Sequence, residues 1–563
     1  LSVLNAVPRA KSQQTRRHQW GAEKRTAPLP VVHPRPSDRR IALARLAIVA
    51  TVIVWALYVV YTVIAEFLNN GAQNFQFTTE AISYDVVVTF LTFSALMYLI
   101  ARHGALQCFR AHVRVPRAEL DRHFSQRSTS MTVLVPSYAE EPEVVATTLW
   151  SAALQEYPDL SVVLLVDDPP RETDPYKVAR LDATRAIAAH ITELLAEPAT
   201  RFRDALLHIE LRQQHDLSHD EVAKIIEHFR AAAAWAKARI DQHSLVDHVD
   251  TFFVEQVLGG LRHEFTVTAD ALEKGRAEGY LLTTEQAMPL VRRLAWTFTA
   301  ELWTFERKAF ASLAHDANKA MNLNSYIGLM GGAYAYEQTP SGTVLRPVPF
   351  GDDADLVVPN TDYVLTLDAD SMLLRDYCLR LVHTMEQVGN ERLAVTQTPY
   401  SSYRGARTRI ERLAAATTDL QHILHQGFSH HGATFWVGAN AVIRKEALDD
   451  IVQIENRGGF AVKRYVQDRT VIEDTESSID LGTHGWTLTN YPERLSYSAT
   501  PPDFGSLVIQ RRRWANGGLL IVPKYIKQLR ERGARGERVS ATEIMVRMNY
   551  MASIAWASFG LVF

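Results

Sequence analysis

The chain has 563 residues, 47% of them hydrophobic and 22% charged, with a formal net charge of -3. That length and apolar content allow a large core and more than one folding unit, and the near-neutral balance excludes the global basic signature of a nucleic-acid binder. Two cysteines, Cys108 and Cys378, are too few for a disulfide framework and fit a reducing compartment.

In chain order, the first 45 residues carry ten Lys/Arg against Glu23 and Asp38, interleaved with Pro8, Pro28, Pro30, Pro34 and Pro36. This composition predicts a basic, disordered arm over 1–42. No short apolar stretch with a small-residue cleavage site opens the sequence, so no secretory signal is expected. Residues 46–65 lack any charge, and residues 81–101 are interrupted only by Asp85. Each run can cross a hydrocarbon layer of ~30 Å. Arg39, Arg40 and Arg45 precede the first run and Arg102, Arg110, Arg114, Arg117, Arg122 and Arg127 follow the second, while the loop between them has no Lys or Arg. That asymmetry predicts a transmembrane hairpin over 43–102 with both ends cytosolic rather than two buried core helices; the plasma (inner) membrane is its expected location.

Beyond the hairpin the pattern is α/β. Residues 131–136 (MTVLVP) and 161–166 (SVVLLV) are short β-rich apolar runs around a helical stretch at 143–155, and 363–367 (YVLTL) empties directly into Asp368. Parallel sheets bind ligands at the carboxyl ends of such strands. From 176 to 310 Ala, Leu, Glu, Arg and His recur with helical spacing, which predicts a large helical insertion. It is read as a lid, a docking platform or a homo-oligomer surface. Residues 336–361 read as a polar loop or hairpin. Over 516–545, basic residues from Lys524 to Arg538 alternate with Ile521, Val522, Tyr525, Ile526 and Leu529, as in an amphipathic helix at a bilayer interface or a solvated basic helix. Residues 546–563 begin another apolar run, expected to start a further transmembrane helix.

Four groups carry chemistry. Asp368 and Asp370, one residue apart at a strand end, can offer hard oxygen ligands to Mg²⁺ or Mn²⁺. Asp474, beside Glu473, is a candidate general base, or alternatively an acid capping free N–H groups at a helix start. Arg513 can clamp phosphate oxygens through its planar fork, and Trp514 can stack on a sugar ring. His425, His430 and His431 fit no closed zinc set and are read as helix-end or acceptor-groove residues.

Together these residues resemble the processive, membrane-embedded family 2 glycosyltransferases of the cellulose, chitin and hyaluronan synthase type, over roughly 130–175 and 310–563. The resemblance implies a GT-A-type, Rossmann-like catalytic domain at 103–175 and 311–515. VPSYAE at 135–140 is similar to the family's first strand and donor loop, with Tyr138 packing on uracil and Glu140 beside it. Asp167 and Asp168 look like the nucleotide-binding acidic pair, and Lys319 like the lysine beside the donor. Asp368 and Asp370 match the metal-binding DxD. TQTP at 396–399 and FWVGAN at 435–440 are similar to segments of the acceptor path, which brings in Phe435 and Trp436. Glu473 and Asp474 match TED, whose Asp is the base, and Gln510, Arg513 and Trp514 match QxxRW.

Departures from the family pattern are Pro169 and Pro170 after the acidic pair, Ala139 in place of Asn and Ile472 in place of Thr. They set the chain apart from the best-known cellulose synthases. The expectation is an inverting, metal-dependent transferase that moves a hexose from a UDP-sugar, by default UDP-glucose, to a growing β-glucan exported through the membrane part. The alternatives are a non-processive transferase acting on a lipid or glycan primer, and a catalytically silent scaffold.

Overall fold

The computed structural model describes residues 26–70, 75–212, 216–351, 353–438, 440–468, 470 and 472–562. Expectations that fall on residues 1–25, Ala439, Val471 and Phe563 lie outside these. Helices α1 (Asp38–Asn70) and α2 (Phe75–Ala111) are both long and apolar enough to cross a membrane, with mean hydropathies of 2.4 and 1.7 in their best windows. Leu46, Val52, Ile53, Val54 and Val63 of α1 are exposed on several faces, an arrangement that suits lipid and not water. The helices outrun the expected 43–102 hairpin at both ends.

Residues 26–37, assigned above to a disordered arm, are instead packed. Val32 bridges Glu493, the Arg494 amide donates to Val31 O at 2.9 Å, and the His33 ring stacks on Phe109 at 3.7 Å. Pro28, Pro30, Pro34 and Pro36 hold the segment extended at little entropic cost, which leaves its carbonyls presented to Arg494.

The catalytic part follows as α3 (Arg117–Gln126), β1 (Ser130–Ser137), α4 (Pro142–Ala153) and β2 (Asp159–Val166). A helical segment comes next: α5 (Pro175–Glu210), α6 (His219–Gln242), α7 (His248–Phe252), a π-helical turn at Phe253–Leu258, α8 (Gly259–Ala277) and α9 (Thr284–Trp296). Capping sets its boundaries. Asp174 accepts from Tyr176 N and Lys177 N with Pro175 at the first helical position, and Ser218/Glu221 and Thr283/Gln286 form capping boxes. Residues 301–305, placed above inside the 176–310 insertion, form strand β3 (Glu301–Phe305) and pair in parallel with β2. The run from Trp303 to Phe305 is β-branched and aromatic, and pairing with β2 overrides the helical trend before it.

The rest of the chain runs α10 (Lys319–Ile327), β4 (Gly332–Thr339), β5 (Gly342–Val348), β6 (Leu356–Val358), β7 (Tyr363–Leu367), β8 (Ser371–Leu373), α11 (Tyr377–Met385), β9 (Leu393–Gln397), β10 (Ser401–Ser402), α12 (Arg409–His430), β11 (Asn440–Arg444), α13 (Lys445–Asp450), β12 (Gln453–Arg457), β13 (Phe460–Arg464), α14 (Glu473–Thr483), β14 (Thr487–Asn490), β15 (Ser496–Ser498), α15 (Phe504–Ala534) and α16 (Ala541–Val562). The expected interface helix at 516–545 is thus the second half of α15, which already contains Gln510 to Trp514, and the chain turns before α16. Its basic face is partly occupied, because Lys524 pairs with Glu476 and Asp480 of α14 at 3.1 and 2.7 Å. α16 packs on α2 and α15 and carries Glu543 and Arg547 in buried positions, so it falls outside the membrane-spanning helices that hydropathy picks out among the described residues.

Seven strands form the central sheet in the order β14-β9-β11-β7-β1-β2-β3, parallel except for β11, which runs against β7 and β9. Side chains alternate between two cores: Met131, Val133 and Val135 of β1 face α4 and the helical segment, while Leu134 faces α10. Sheet and helices therefore make the α/β class that the apolar runs predict. The exits of β1, β2, β7 and β9 and the start of β11 all lie along one edge.

One crossing fixes the apolar helix α2 to this domain. α2 meets α12 where Gly427 sits against the Ala101 backbone, so close that a Cβ there would lie 1.8 Å from Ala101 O. Gly427→Ala must push the helices apart, and a loss of about 1–3 kcal/mol is expected, read as a lower unfolding temperature in detergent.

Candidate active site

The strand exits, the first turns of α10 and α14 and the second and third turns of α15 enclose a cleft of about 510 Å³. Its walls include Tyr138, Glu140, Asp167, Lys319, Asp368, Asp370, Glu473, Asp474, Gln510, Arg513 and Trp514, residues drawn from six stretches of the sequence.

β7 delivers Asp368, and a tight turn in which Ser371 N donates to Asp368 O at 3.0 Å brings Asp370 alongside. Thr148 of α4 pins the turn from behind by donating to Ala369 O at 2.7 Å. Desolvation, then the adjacent Asp368 charge, push the Asp370 carboxyl up to about 7. Lys319, the first residue of α10, bonds Asp368 Oδ1 and donates to Gly438 O at 3.2 Å. Burial opposes its charge, but Asp368, Glu473 and Asp474 more than offset this and hold the ammonium above its ordinary value. Two hard carboxylates one residue apart, destabilised by each other and balanced by a lysine, fit a divalent cation. Among the described residues no group of three or more His, Cys, Asp or Glu could hold a metal, so the remaining ligands would come from a diphosphate or water.

Asp474 lies in the first turn of α14, where its Oδ1 accepts from Thr475 N at 2.6 Å. Burial, then the Glu473 charge, push its carboxyl up to about 7. Gly438 faces it with a φ of +78°, and a Cβ on Gly438 would fall 2.1 Å from Asp474 Oδ2. On α15, Arg513 is exposed and makes no hydrogen bond or ion pair with another described residue, while Trp514 carries the Arg511 guanidinium 4.5 Å above its ring. Arg511 in turn donates to Thr417 Oγ1 at 2.7 Å and Gln421 Oε1 at 3.2 Å of α12. Its anchoring of the indole was not legible in the motif.

Several expected site residues sit differently. Asp167 is almost fully buried, and its carboxylate is held bidentately by Arg307 at 2.7 and 2.9 Å. It is a clasp between the exits of β2 and β3 rather than an open nucleotide ligand, because a buried carboxylate needs a fixed counter-charge. Arg307 was hidden in the range read as helical; the β-rich run just before it was the available signal. Asp168 does not line the cleft but accepts from Ala139 N at 3.2 Å. Ala139 adopts a φ of +57°. There the Cβ is strained, so Ala139→Gly should stabilise the fold by about 1 kcal/mol in denaturant titration. Glu140 closes the same turn, accepting from Ser137 Oγ at 2.8 Å and from Tyr138 N. Tyr138 itself is 60% exposed, with Lys308 Nζ 5.6 Å from its ring centre. Phe435 and Trp436, expected in the acceptor path, are core residues at 0% and 2% exposure: Phe435 stacks on Tyr550, and Trp436 N donates to Ser478 Oγ. Their aromatic character reflects packing.

A second cavity of about 270 Å³ opens from the first at Tyr400, Asp474 and Trp514 and continues between α2, α12 and α16 past Tyr98, His422 and Tyr550. His425 also borders it, its imidazole lowered to about 4 by burial and therefore neutral.

Residues 363–563 match the glycosyl transferase family group 2, and they carry Asp368, Asp370, Asp474 and Arg513 on the mixed, mainly parallel α/β sheet described above. The chain is 27% identical over 165 residues to a cellulose synthase catalytic subunit [UDP-forming] of Komagataeibacter sucrofermentans, covering 28% of this chain and 20% of that protein. It is 25% identical over 275 residues to the glucans biosynthesis glucosyltransferase H of Bradyrhizobium diazoefficiens, covering 48% and 33%. A probable glucomannan 4-beta-mannosyltransferase of Arabidopsis thaliana is 25% identical over 162 residues, covering 28% and 33%. The chain thus spans a third or less of the length of these relatives. A solved mannosyltransferase from Pyrobaculum calidifontis, in complex with GDP-Man and Mn²⁺, superposes with a TM-score of 0.39 at 12% identity, covering 85% of this chain and 86% of that one.

Proposed function

We propose that the protein is a processive, inverting, metal-dependent transferase that moves a hexose from a UDP-sugar, UDP-glucose by default, to a growing β-glucan. The supporting observation is the junction of the two cavities at Asp474: the larger holds the acids and Arg513, and the smaller leads away between helices that include α2. A donor diphosphate placed between Asp368, Asp370 and Arg513 leaves the anomeric carbon facing Asp474. That carboxylate takes the proton of the acceptor hydroxyl, whose oxygen attacks opposite the leaving UDP. Mg²⁺ or Mn²⁺ on Asp368 and Asp370 would neutralise the departing phosphates. Arg513 adds fixed positive charge, and Tyr138 with Lys308 offers a platform for the base. Trp514, held by Arg511, supports the acceptor sugar.

On this reading α1 and α2 cross the plasma (inner) membrane with the catalytic domain cytosolic, and the smaller cavity is the first stretch of the polymer's route to the bilayer. Incubating the full chain with Mn²⁺ and radiolabelled UDP-glucose should give long labelled polymer. A product extended by one sugar would replace this reading with a non-processive transferase, and absence of transfer from any UDP-hexose would favour a silent scaffold.

A further inference from the structure

The helical segment between β2 and β3 makes one contact that reaches the acids of the cleft. Its short helix α7 runs without a break into the π-helical turn at Phe253–Leu258. The start of α7 is fixed, since Asp247 accepts from Val249 N and Asp250 N at 2.7 and 3.1 Å, and Asp250 accepts from His243 Nε2 at 2.9 Å. Successive residues of a helix point about 100° apart, so Phe252 and Phe253 serve different neighbours. Phe253 stays within the segment, 5.0 Å from the His243 ring. Phe252 leaves it: its ring lies 4.5 Å from Tyr497 and 5.0 Å from Tyr403, both buried.

These tyrosines belong to a small sheet, β10-β15-β8, behind the DxD turn. β8 begins at Ser371, next to Asp370, and Tyr403 follows β10. The Tyr403 hydroxyl is shared between two carbonyls, Asp370 O at 3.2 Å and Tyr497 O at 3.1 Å. A second tether joins the same regions, as Arg407 Nη2 donates to Val246 O at 2.9 Å. From the helical segment to the metal acid the path is therefore ring, ring, hydroxyl, carbonyl.

We propose that Phe252 and Tyr403 are positioning residues, through which α7 holds the Asp370 backbone and so aims its carboxylate at the divalent cation on the donor diphosphate. This rests on the donor-site reading above. Neither side chain touches the substrate; both act through Asp370. The segment's tip thereby takes part in assembling the metal site.

The test is Mn²⁺ binding by electron paramagnetic resonance on the full chain in detergent with UDP, comparing the parent with Tyr403→Phe, Phe252→Ala, Phe252→Leu and Asp370→Asn. Tyr403→Phe keeps the ring and removes the hydroxyl, and should weaken Mn²⁺ about tenfold. Its unfolding temperature should fall by only a few degrees, the cost of one lost buried hydrogen bond, and its metal-free UDP affinity should stay unchanged. Phe252→Ala should move Mn²⁺ affinity the same way, and Phe252→Leu should largely restore it. Parent-like Mn²⁺ affinity in Tyr403→Phe, with binding lost in Asp370→Asn, overturns the inference alone. Equal binding in the parent and Asp370→Asn overturns the donor-site reading and the inference with it. Should Phe252→Ala fail to fold, Tyr403→Phe still decides.

Discussion

Asp474→Asn should lower turnover about a thousandfold while leaving UDP binding intact, the loss expected when a positioned general base is replaced by an isostere that cannot take a proton. The same substitution should stabilise the protein above neutral pH. The folded-state carboxyl of Asp474 sits at about 7 against an ordinary 3.8. Between those values the folded state binds a proton that the unfolded state does not, so stability falls as pH rises through the window and the full cost is present above it. Because the carboxylate also faces the cleft and is coupled to Glu473, the cost is discounted to about 2 kcal/mol. Thermal unfolding of parent and variant should coincide near pH 4 and separate by pH 8, with the variant higher. Turnover of the parent should rise with pH through about 7 as Asp474 loses its proton. Equal unfolding temperatures at both pH values would show that the buried charge carries no such cost.

Gly438→Ala should be nearly as damaging to turnover, although it removes no reactive group. Its methyl would fall 2.1 Å from Asp474 Oδ2, and φ at this position is +78°. Either the carboxylate swings away or the backbone moves, and the backbone carbonyl is also a partner of Lys319. A displacement of about 1 Å at the base is expected to cost about a hundredfold in kcat. The cycle with Asp474→Asn isolates the cause. If the glycine acts only by making room for the base, the double variant should be no slower than Asp474→Asn alone. Additive losses would instead point to damage at Lys319 or Asp368.

Residues with local meaning were readable in the chain. Asp368 follows an uninterrupted apolar strand, and Gln510, Arg513 and Trp514 lie on one turn-and-a-bit of helix, so strand and helix periodicity alone brings each set to one place. What escaped depends on partners far away in sequence. Asp167 looks like a free acid until Arg307, 140 residues later, closes on it. Phe435 and Trp436 carry the same aromatic signal as Trp514, yet only the packing of α14 and α16 shows them to be core. Residues 26–37 read as disordered because they belong to an arm that is basic and proline-rich as a whole, and their order comes from Phe109 and Arg494. Burial of one hidden charge, one ring or one extended strap is decided by tertiary partners that no local pattern encodes.

The reversed direction of β11 divides the work of the cleft between two kinds of chain segment. Tyr138, Asp368 and Asp370 stand where the polypeptide leaves the sheet, after β1 and β7, whereas residues 432–438 stand where it comes in to begin β11. On the proposed reading, the turns that would hold the donor and the glycine that makes room for Asp474 thus reach the cleft from opposite chain directions on one shared sheet. Because Phe435 and Trp436 of that entering segment are core and the Gly438 carbonyl holds Lys319, the room beside Asp474 is set by the packing of the sheet itself and not by a free loop.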